Sequence, residues 1–241
     1  MEHNYLNEVL PFLKELDEKT QWQFEEYFKT APLWLLDSLK TDTIEAGAVF
    51  IEENRPANMI YFVAKGRVKA TDYRVSGIAF DFMKPNNVIA FGGMEVLMKQ
   101  KNYKTTIETV TDCIIVKLPR EKYEKWIFSD IEALRKETLI TCTSLLEEER
   151  RNRLYLFLQG SDRLAMMFVH CYEQYNDNGV VCINESRLDM ADETGLCLKS
   201  VSRAVKKFTT EGMITKRGNQ IYISSKQYEM LKSVIEDKVD R

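Results

Sequence analysis

The stretch "DETGLCLKSVSRAVKKF", residues 192–208, decides how this chain is read. It has no acidic side chain after Glu193, and four cations follow its single glycine: Lys199, Arg203, Lys206 and Lys207. Leu196, Val201, Ala204, Val205 and Phe208 recur at helical spacing, which predicts an amphipathic helix with a basic outer face. Upstream, Ser186 is placed to cap a shorter helix that runs to about Glu193. Ala191 falls where that helix would meet its neighbour, where a small residue is needed. Gly195 supplies the positive φ of a tight turn. With Leu196 and Val201 packing the second helix onto the first, the layout is a helix-turn-helix. "GMITKRGNQIYI" follows, a hairpin around Gly218-Asn219 with Lys216-Arg217 at its tip, which reads as a wing.

Charge points the same way. Residues 196–217 carry six bases and one acid, whereas 159–241 carries twelve of each. A patch so focused suits phosphate neutralisation and insertion into a DNA groove. The residues assigned to DNA are Leu198, Lys199, Ser200, Ser202, Arg203, Lys206, Lys207, Lys216 and Arg217. Lys199, Ser202 and Arg203 share a face of the N-terminal half, where base edges are read, and Arg203 suits the bidentate contact to guanine. Leu198 could touch only a thymine methyl. Ser200, Lys206, Lys207, Lys216 and Arg217 are placed for phosphates. The alternative is a sensor or scaffold whose C-terminal winged helix mediates protein–protein contact.

Outward from that module the periodicity changes twice. Residues 120–158 hold no glycine or proline, and Ser129-Asp130 is a good helix cap, so a helix of about 28 residues should follow it. Leu134, Thr138, Thr141, Leu145, Glu148, Asn152 and Tyr155 have heptad spacing, which predicts a two-chain coiled coil with an imperfect seam. Residues 44–118 are short β-rich runs punctuated by Gly47, Lys65-Gly66, Gly77, "KPNN" and Gly92-Gly93, the pattern of an antiparallel sandwich or barrel. "YFVAKGRVKATDY" reads as two strands around a Lys-Gly turn. Residues 1–31 are helical and acidic, with Leu6, Val9, Leu10, Leu13 and Leu16 on one face and Pro11 a blemish or break.

Composition removes whole classes of function. The 241 residues sum to a formal charge of −3, so there is no general basic coat. No apolar run reaches membrane-spanning length, and no secretion signal opens the chain. Five scattered cysteines without CxxC fit a reducing cytoplasm. Two histidines leave little for a metal site, and no metal or cofactor is expected. P-loop, GxSxG and HExxH are absent, so an enzyme is not expected.

Four segments together resemble the cyclic-AMP receptor protein/Fnr (Crp/Fnr) family of bacterial transcription regulators. They are "MIYFVAKGRVKA" in the central β hairpin and "VIAFGGMEVL" at the start of the phosphate-binding cassette. "GSDRLAMMFVHCYE" matches the helix leading into the DNA-binding domain. "GLCLKSVSRAVKKF" matches the recognition helix, where Val201-Ser202-Arg203 is the most specific piece. The resemblance implies an α+β chain: a β-roll sensor (a cyclic-nucleotide-binding-like jelly roll) with N-terminal helices over 1–126, a dimerisation helix over 127–158 and a winged helix-turn-helix over 159–241. It implies a homodimer on double-stranded DNA with a two-fold-related site, in contact with RNA polymerase. It also places a candidate effector pocket at Phe91, Gly92, Gly93, Met94, Tyr103, Lys104, Thr105 and Thr106.

This chain departs from the members that bind cyclic AMP. They hold the ribose with a Glu where this chain has Gly93, and the phosphate with an Arg-Ser pair where it has Tyr103-Lys104. Lys104 offers a point charge without the bidentate fork. Where the nucleotide base would meet the long helix, this chain has Glu147, Glu148 and Glu149, which suit an anionic ligand poorly. Control by cyclic AMP is therefore not expected, and either an unknown small-molecule effector or a cleft filled by side chains remains. An iron–sulfur cluster is not expected, because the first cysteine is Cys113. Cys113 reads as a buried strand residue, not a haem ligand. Many members carry Glu or Arg at the positions of Leu198-Lys199, so the DNA target should differ from theirs.

Overall fold

Pro11 has no amide hydrogen to give a helix, and it splits the N-terminal apolar pattern in two. Helix α1 (His3–Val9) ends before it, a 3-10 turn spans Pro11–Glu15, and α2 (Glu18–Tyr27) starts afresh. Asp17 caps α2 by accepting from the Thr20 amide at 2.9 Å. These elements belong to a computed structural model that describes residues 3–72, 78–80, 88–158, 160–176 and 178–239. The residues group into two units, 1–71 with 84–145 and 72–83 with 146–241.

In the first unit, α3 (Leu33–Leu36) leads into β1 (Lys40–Ile44), β2 (Val49–Ile51), β3 (Met59–Lys65) and β4 (Val68–Asp72). A short strand β5 (Ile78–Phe80), counted with the second unit, comes next in the chain. Then follow α4 (Gly93–Leu97), β6 (Thr106–Thr109) and β7 (Cys113–Pro119). One antiparallel sheet has the order β1-β7-β3, and a second joins β2, β6 and β4 in that order. Strand β7 has buried residues on both faces, which is why "CIIV" is apolar without alternation. Val116 and Leu118 join the core under the helices, with Ile60, Phe62 and Trp126. Cys113 and Ile115 join the core with Val68, Tyr103 and Ile107. Cys113 is 1% exposed, as a strand residue.

The two strands around Lys65-Gly66 do not pair with each other. β3 pairs with β7 while β4 pairs with β6, so the segment turns a corner from one sheet to the other. Gly66 makes that corner at φ +96°, and a Cβ there would stand 2.5 Å from both the Asp112 carbonyl and the Cys113 sulfur.

Asp130 breaks the long helical segment, as its position suggests. Its carboxylate accepts from the amides of Glu132 (2.9 Å) and Ala133 (3.2 Å), separating α5 (Arg120–Ser129) from α6 (Ile131–Phe157). The residues of the expected seam along α6 divide: Thr138 and Leu145 are exposed, and Leu134 and Thr141 are half-buried. Leu134 packs on the first unit's core, and Thr141 hydrogen-bonds the Glu137 carboxylate. Thr138, Leu139, Cys142, Thr143, Ser144, Leu145 and Leu146 are exposed, as are Ile131 and Phe157 at the helix ends. The inward face of α6 carries Ala133 and Glu137, which the heptad spacing did not weigh. The side chains of Glu148, Asn152 and Tyr155 lie outside the described residues, as do Gly77 and "KPNN".

The second unit continues with α7 (Ser161–Tyr175), β8 (Val180–Ile183), α8 (Arg187–Thr194), α9 (Leu198–Thr210), β9 (Thr215–Arg217), β10 (Gln220–Ser224) and α10 (Ser225–Val239). Its sheet runs β8-β10-β9, and Ile183, Ile221 and Ile223 pack against α7, α8 and α9. Phe168 of α7 and Phe208 of α9 meet edge to face at 6.3 Å. Each buried side chain of this size contributes about 1.5–3 kcal/mol. The chain closes on α10, a helix the sequence reading passes over; its Leu231 and Ile235 complete this core.

Candidate nucleic-acid interface

Ser186 and Asp189 build the start of the helix-turn-helix. The Ser186 hydroxyl accepts from the Asp189 amide at 3.1 Å, and the Asp189 carboxylate accepts from the Ser186 amide at 3.1 Å, a reciprocal capping box. Gly195 ends α8 at φ +64°, and its amide donates to the Ala191 carbonyl. Thr194 is buried; its hydroxyl donates to the Met190 carbonyl at 2.5 Å and its carbonyl accepts from Arg163 at 3.5 Å. The turn is therefore pinned from both sides before α9 begins.

Helix α9 divides cleanly. Val201, Ala204, Val205 and Phe208 are buried. Leu198, Lys199, Ser202, Arg203, Lys206 and Lys207 are exposed, and Ser200 is half-buried. Among the described residues, none of the four cations on α9 makes an ion pair, so their charge is directed outward. Cys197 is the N-cap, with its sulfur 3.3 Å from the Ser200 hydroxyl. That hydroxyl, with the backbone amides at the helix start, holds the Cys197 thiol below its ordinary value. Sequence reasoning passed over Cys197, although its place between the glycine turn and the first helical residue marks it as the cap.

The wing separates two residues that the sequence treats as a pair. Successive strand residues point to opposite faces. Lys216 stands opposite buried Ile221, on the face toward the core, while Arg217 stands opposite Gln220 on the outer face. The Arg217 guanidinium lies 5.1 Å from the centroid of the Tyr222 ring, an engagement worth about 0.5–1 kcal/mol at an exposed site. Both side chains remain exposed.

In the first unit, Phe91 exchanges backbone hydrogen bonds with Tyr61 at 2.9 and 3.0 Å. Gly92, at φ +98°, caps α4, and a Cβ there would touch Ile60, the Met59 carbonyl and Tyr103. The Tyr103 hydroxyl donates to the Met59 carbonyl at 2.7 Å, and burial pushes its phenol well up. Phe91, Gly92, Gly93, Tyr103 and Thr106 are buried, and Met94, Lys104 and Thr105 are half-buried. The Thr106 hydroxyl accepts from the Glu53 amide at 3.0 Å.

Three charged residues here lie outside the pocket residues expected from the sequence. Glu95 is buried and accepts from the Lys104 amide at 3.0 Å. Arg120 donates to the carbonyls of Gln100 (2.7 Å), Ala57 (3.2 Å) and Glu95 (3.4 Å), tying down the segment after α4. Glu137 of α6 is 3% exposed and accepts from the Tyr27 hydroxyl at 2.6 Å. It is Glu137 that stands against Gly93; Glu147 and Glu149 are exposed on α6.

Comparison with known proteins finds the cyclic nucleotide-binding domain over residues 41–130 and the Crp-like helix-turn-helix domain over 162–233. The transcriptional activator protein anr of Pseudomonas aeruginosa is 18% identical over 191 residues, 75% of each chain. FixK2 from Bradyrhizobium japonicum superposes with a TM-score of 0.67 at 23% identity, covering 80% of this chain and 96% of its own. The c-di-GMP responsive regulator CLP of Xanthomonas campestris gives 0.66 at 16% identity, covering 86% and 99%. A putative crp/fnr-family regulator from Eubacterium rectale gives 0.67 at 15%, covering 94% and 99%. No described helix is long and apolar enough to cross a membrane.

Proposed function

Since the chain belongs to the Crp/Fnr family of transcription regulators, we propose that it acts as a homodimer on a two-fold-related DNA site, without control by cyclic AMP. The observation that carries this reading is α9 itself, with Val201, Ala204, Val205 and Phe208 buried on one side and, on the other, exposed cations that make no ion pair among the described residues. A helix whose Lys and Arg are held away from carboxylates keeps them for phosphates and base edges.

In this reading Lys199, Ser202 and Arg203 meet base edges, Leu198 meets a thymine methyl, and Lys206, Lys207 and Lys216 meet phosphates. Ser200 and Arg217 contribute less, since Ser200 sits against Cys197 and Arg217 against Tyr222. Residues 1–126 form the sensor, 127–158 the dimerisation helix and 159–241 the DNA-binding domain. The exposed Leu139, Cys142, Leu145 and Leu146 supply the self-association surface. Family membership further suggests a cytoplasmic protein that contacts RNA polymerase.

Insensitivity to cyclic AMP is supported by chemistry at three positions. Gly93 has no carboxylate for a ribose. Tyr103 is buried, with its hydroxyl on Met59. Glu95, the nearest acid in sequence, is engaged with the Lys104 amide. A cyclic phosphodiester would lose its charge-assisted bidentate contact.

The test begins with selection of genomic fragments to find the best site. Arg203→Ala should then cost roughly 1–3 kcal/mol on that site and relax preference at one base position. Lys206→Ala should weaken all sequences alike and lower the salt slope by about one unit. Equal losses for both variants on selected and random DNA would overturn the assignment of Arg203. Binding that does not fall with salt would overturn DNA as the partner.

A further inference from the structure

Glu137 is a buried carboxylate, and among the described residues no cation pairs with it. Its partners are hydroxyls from three places: Tyr27 of α2 at 2.6 Å, Tyr123 of α5, and Thr141 one turn along α6. The Tyr27 and Tyr123 oxygens are themselves 3.0 Å apart. Both rings are buried, so neither hydroxyl has a route to water. A hydrogen bond to a buried carboxylate is worth more than its exposed counterpart, because the alternative is an unsatisfied charge.

The same carboxylate abuts the start of α4. A Cβ on Gly93 would lie 2.7 Å from Glu137 Oε1 and 3.0 Å from the Tyr123 hydroxyl. Gly93 does not have a positive φ, so space, not backbone conformation, demands glycine there. What the sequence shows as a lost ribose-binding Glu is thus the imprint of a side chain arriving from α6.

The neighbouring residues repeat the grip. Lys136 donates to the Glu26 carbonyl and, at 3.0 Å, to the Glu26 carboxylate. Thr30, in the turn after α2, hydrogen-bonds the Asp130 carboxylate that caps α6. The end of α2 therefore holds α6 at Asp130, Lys136 and Glu137, over its first two turns.

We propose that the N-terminal helical segment is a conformational clamp, in which Tyr27, with Tyr123, seats the Glu137 carboxylate and so fixes α6 against the backbone that opens α4. The position of α6 is then set by the polypeptide itself, with an internal carboxylate between the long helix and the cassette. The clamp rests on this geometry alone. Its consequence for DNA binding rests on the function proposed above, because α6 is the helix assigned there to dimerisation.

The test compares the full-length chain with Tyr27→Phe, Glu137→Gln, their double variant and Thr141→Val by hydrogen–deuterium exchange. Removing one hydroxyl from the carboxylate should speed exchange of amides 90–97 and 131–145 about threefold to tenfold, with β3 and β7 unchanged. The double variant should be little worse than the more affected single one, because both act on the same Tyr27–Glu137 contact. Affinity for the selected DNA site should fall with the salt slope unchanged. Exchange rising evenly across residues 1–71 and 88–145, or only within α2, would overturn the clamp. If the wild-type chain selects no DNA site, the function proposed above fails while the exchange pattern still decides the clamp.

Discussion

Replacing Gly93 by alanine adds one methyl group to the first residue of α4, where φ is not positive. At an unencumbered helical position that change stabilises a protein by roughly 0.5–1 kcal/mol. Here the new Cβ would stand 2.7 Å from Glu137 Oε1 and 3.0 Å from both the Tyr123 hydroxyl and Ala90 Cβ. Glu137 is 3% exposed and cannot swing into water. Overpacking of this kind costs about 1–3 kcal/mol. Pushing the carboxylate off Tyr27 strands buried polar groups, at about 1–3 kcal/mol more. Set against the helical gain, the net expectation is a loss of roughly 1–5 kcal/mol. The three tryptophans, Trp22, Trp34 and Trp126, all lie in residues 1–71 and 84–145, so their fluorescence in a urea titration reports that unit alone. In a Glu137→Ala background the space opens, and the cost of Gly93→Ala should fall below about 1 kcal/mol. A neutral or stabilising Gly93→Ala, or the same cost in both backgrounds, would refute the reasoning.

Burial pushes the Glu137 carboxyl above its ordinary value of 4.5. A raised value in the folded state means that the protonated form favours folding. That contribution is whole below about pH 4.5 and is lost as pH rises through the raised value. Glu137→Gln cannot ionise, so its stability relative to wild type should improve from about pH 4 to pH 7 in the same urea titration, and a flat difference would count against a buried ionisable group. Leu145→Asp or Leu146→Asp places a charge in the exposed apolar stripe of α6 and should give monomers by sedimentation; a persistent dimer with both would move the interface elsewhere. Calorimetric titration with cyclic AMP should give no heat of binding at micromolar concentrations, and a micromolar isotherm would show that Tyr103 and Glu95 yield to the nucleotide.

Much of this protein is local, and the local part was legible. Ser186, Gly195 and Gly218 each act within four residues of themselves, as caps and turns, and their chemistry can be read without knowing what surrounds them. The division of α9 into apolar and basic sides follows from a 3.6-residue period that no tertiary contact needs to enforce. Family resemblance likewise lay in short segments and their order, and it carried the β-roll and the winged helix together.

The rest depended on residues far apart in sequence. Whether β3 turns back on β4 or crosses to another sheet is decided by β7, some fifty residues later, and by the space that Cys113 leaves at Gly66. The face of α6 turned inward was set by Glu137 meeting Tyr27 across 110 positions, a contact that heptad spacing does not register. Gly93 shows the division most plainly. The family resemblance implied that Gly93 stands where a ribose-binding Glu is expected. Only the tertiary structure could decide why, because two buried atoms cannot share one volume, and the second atom came from another helix.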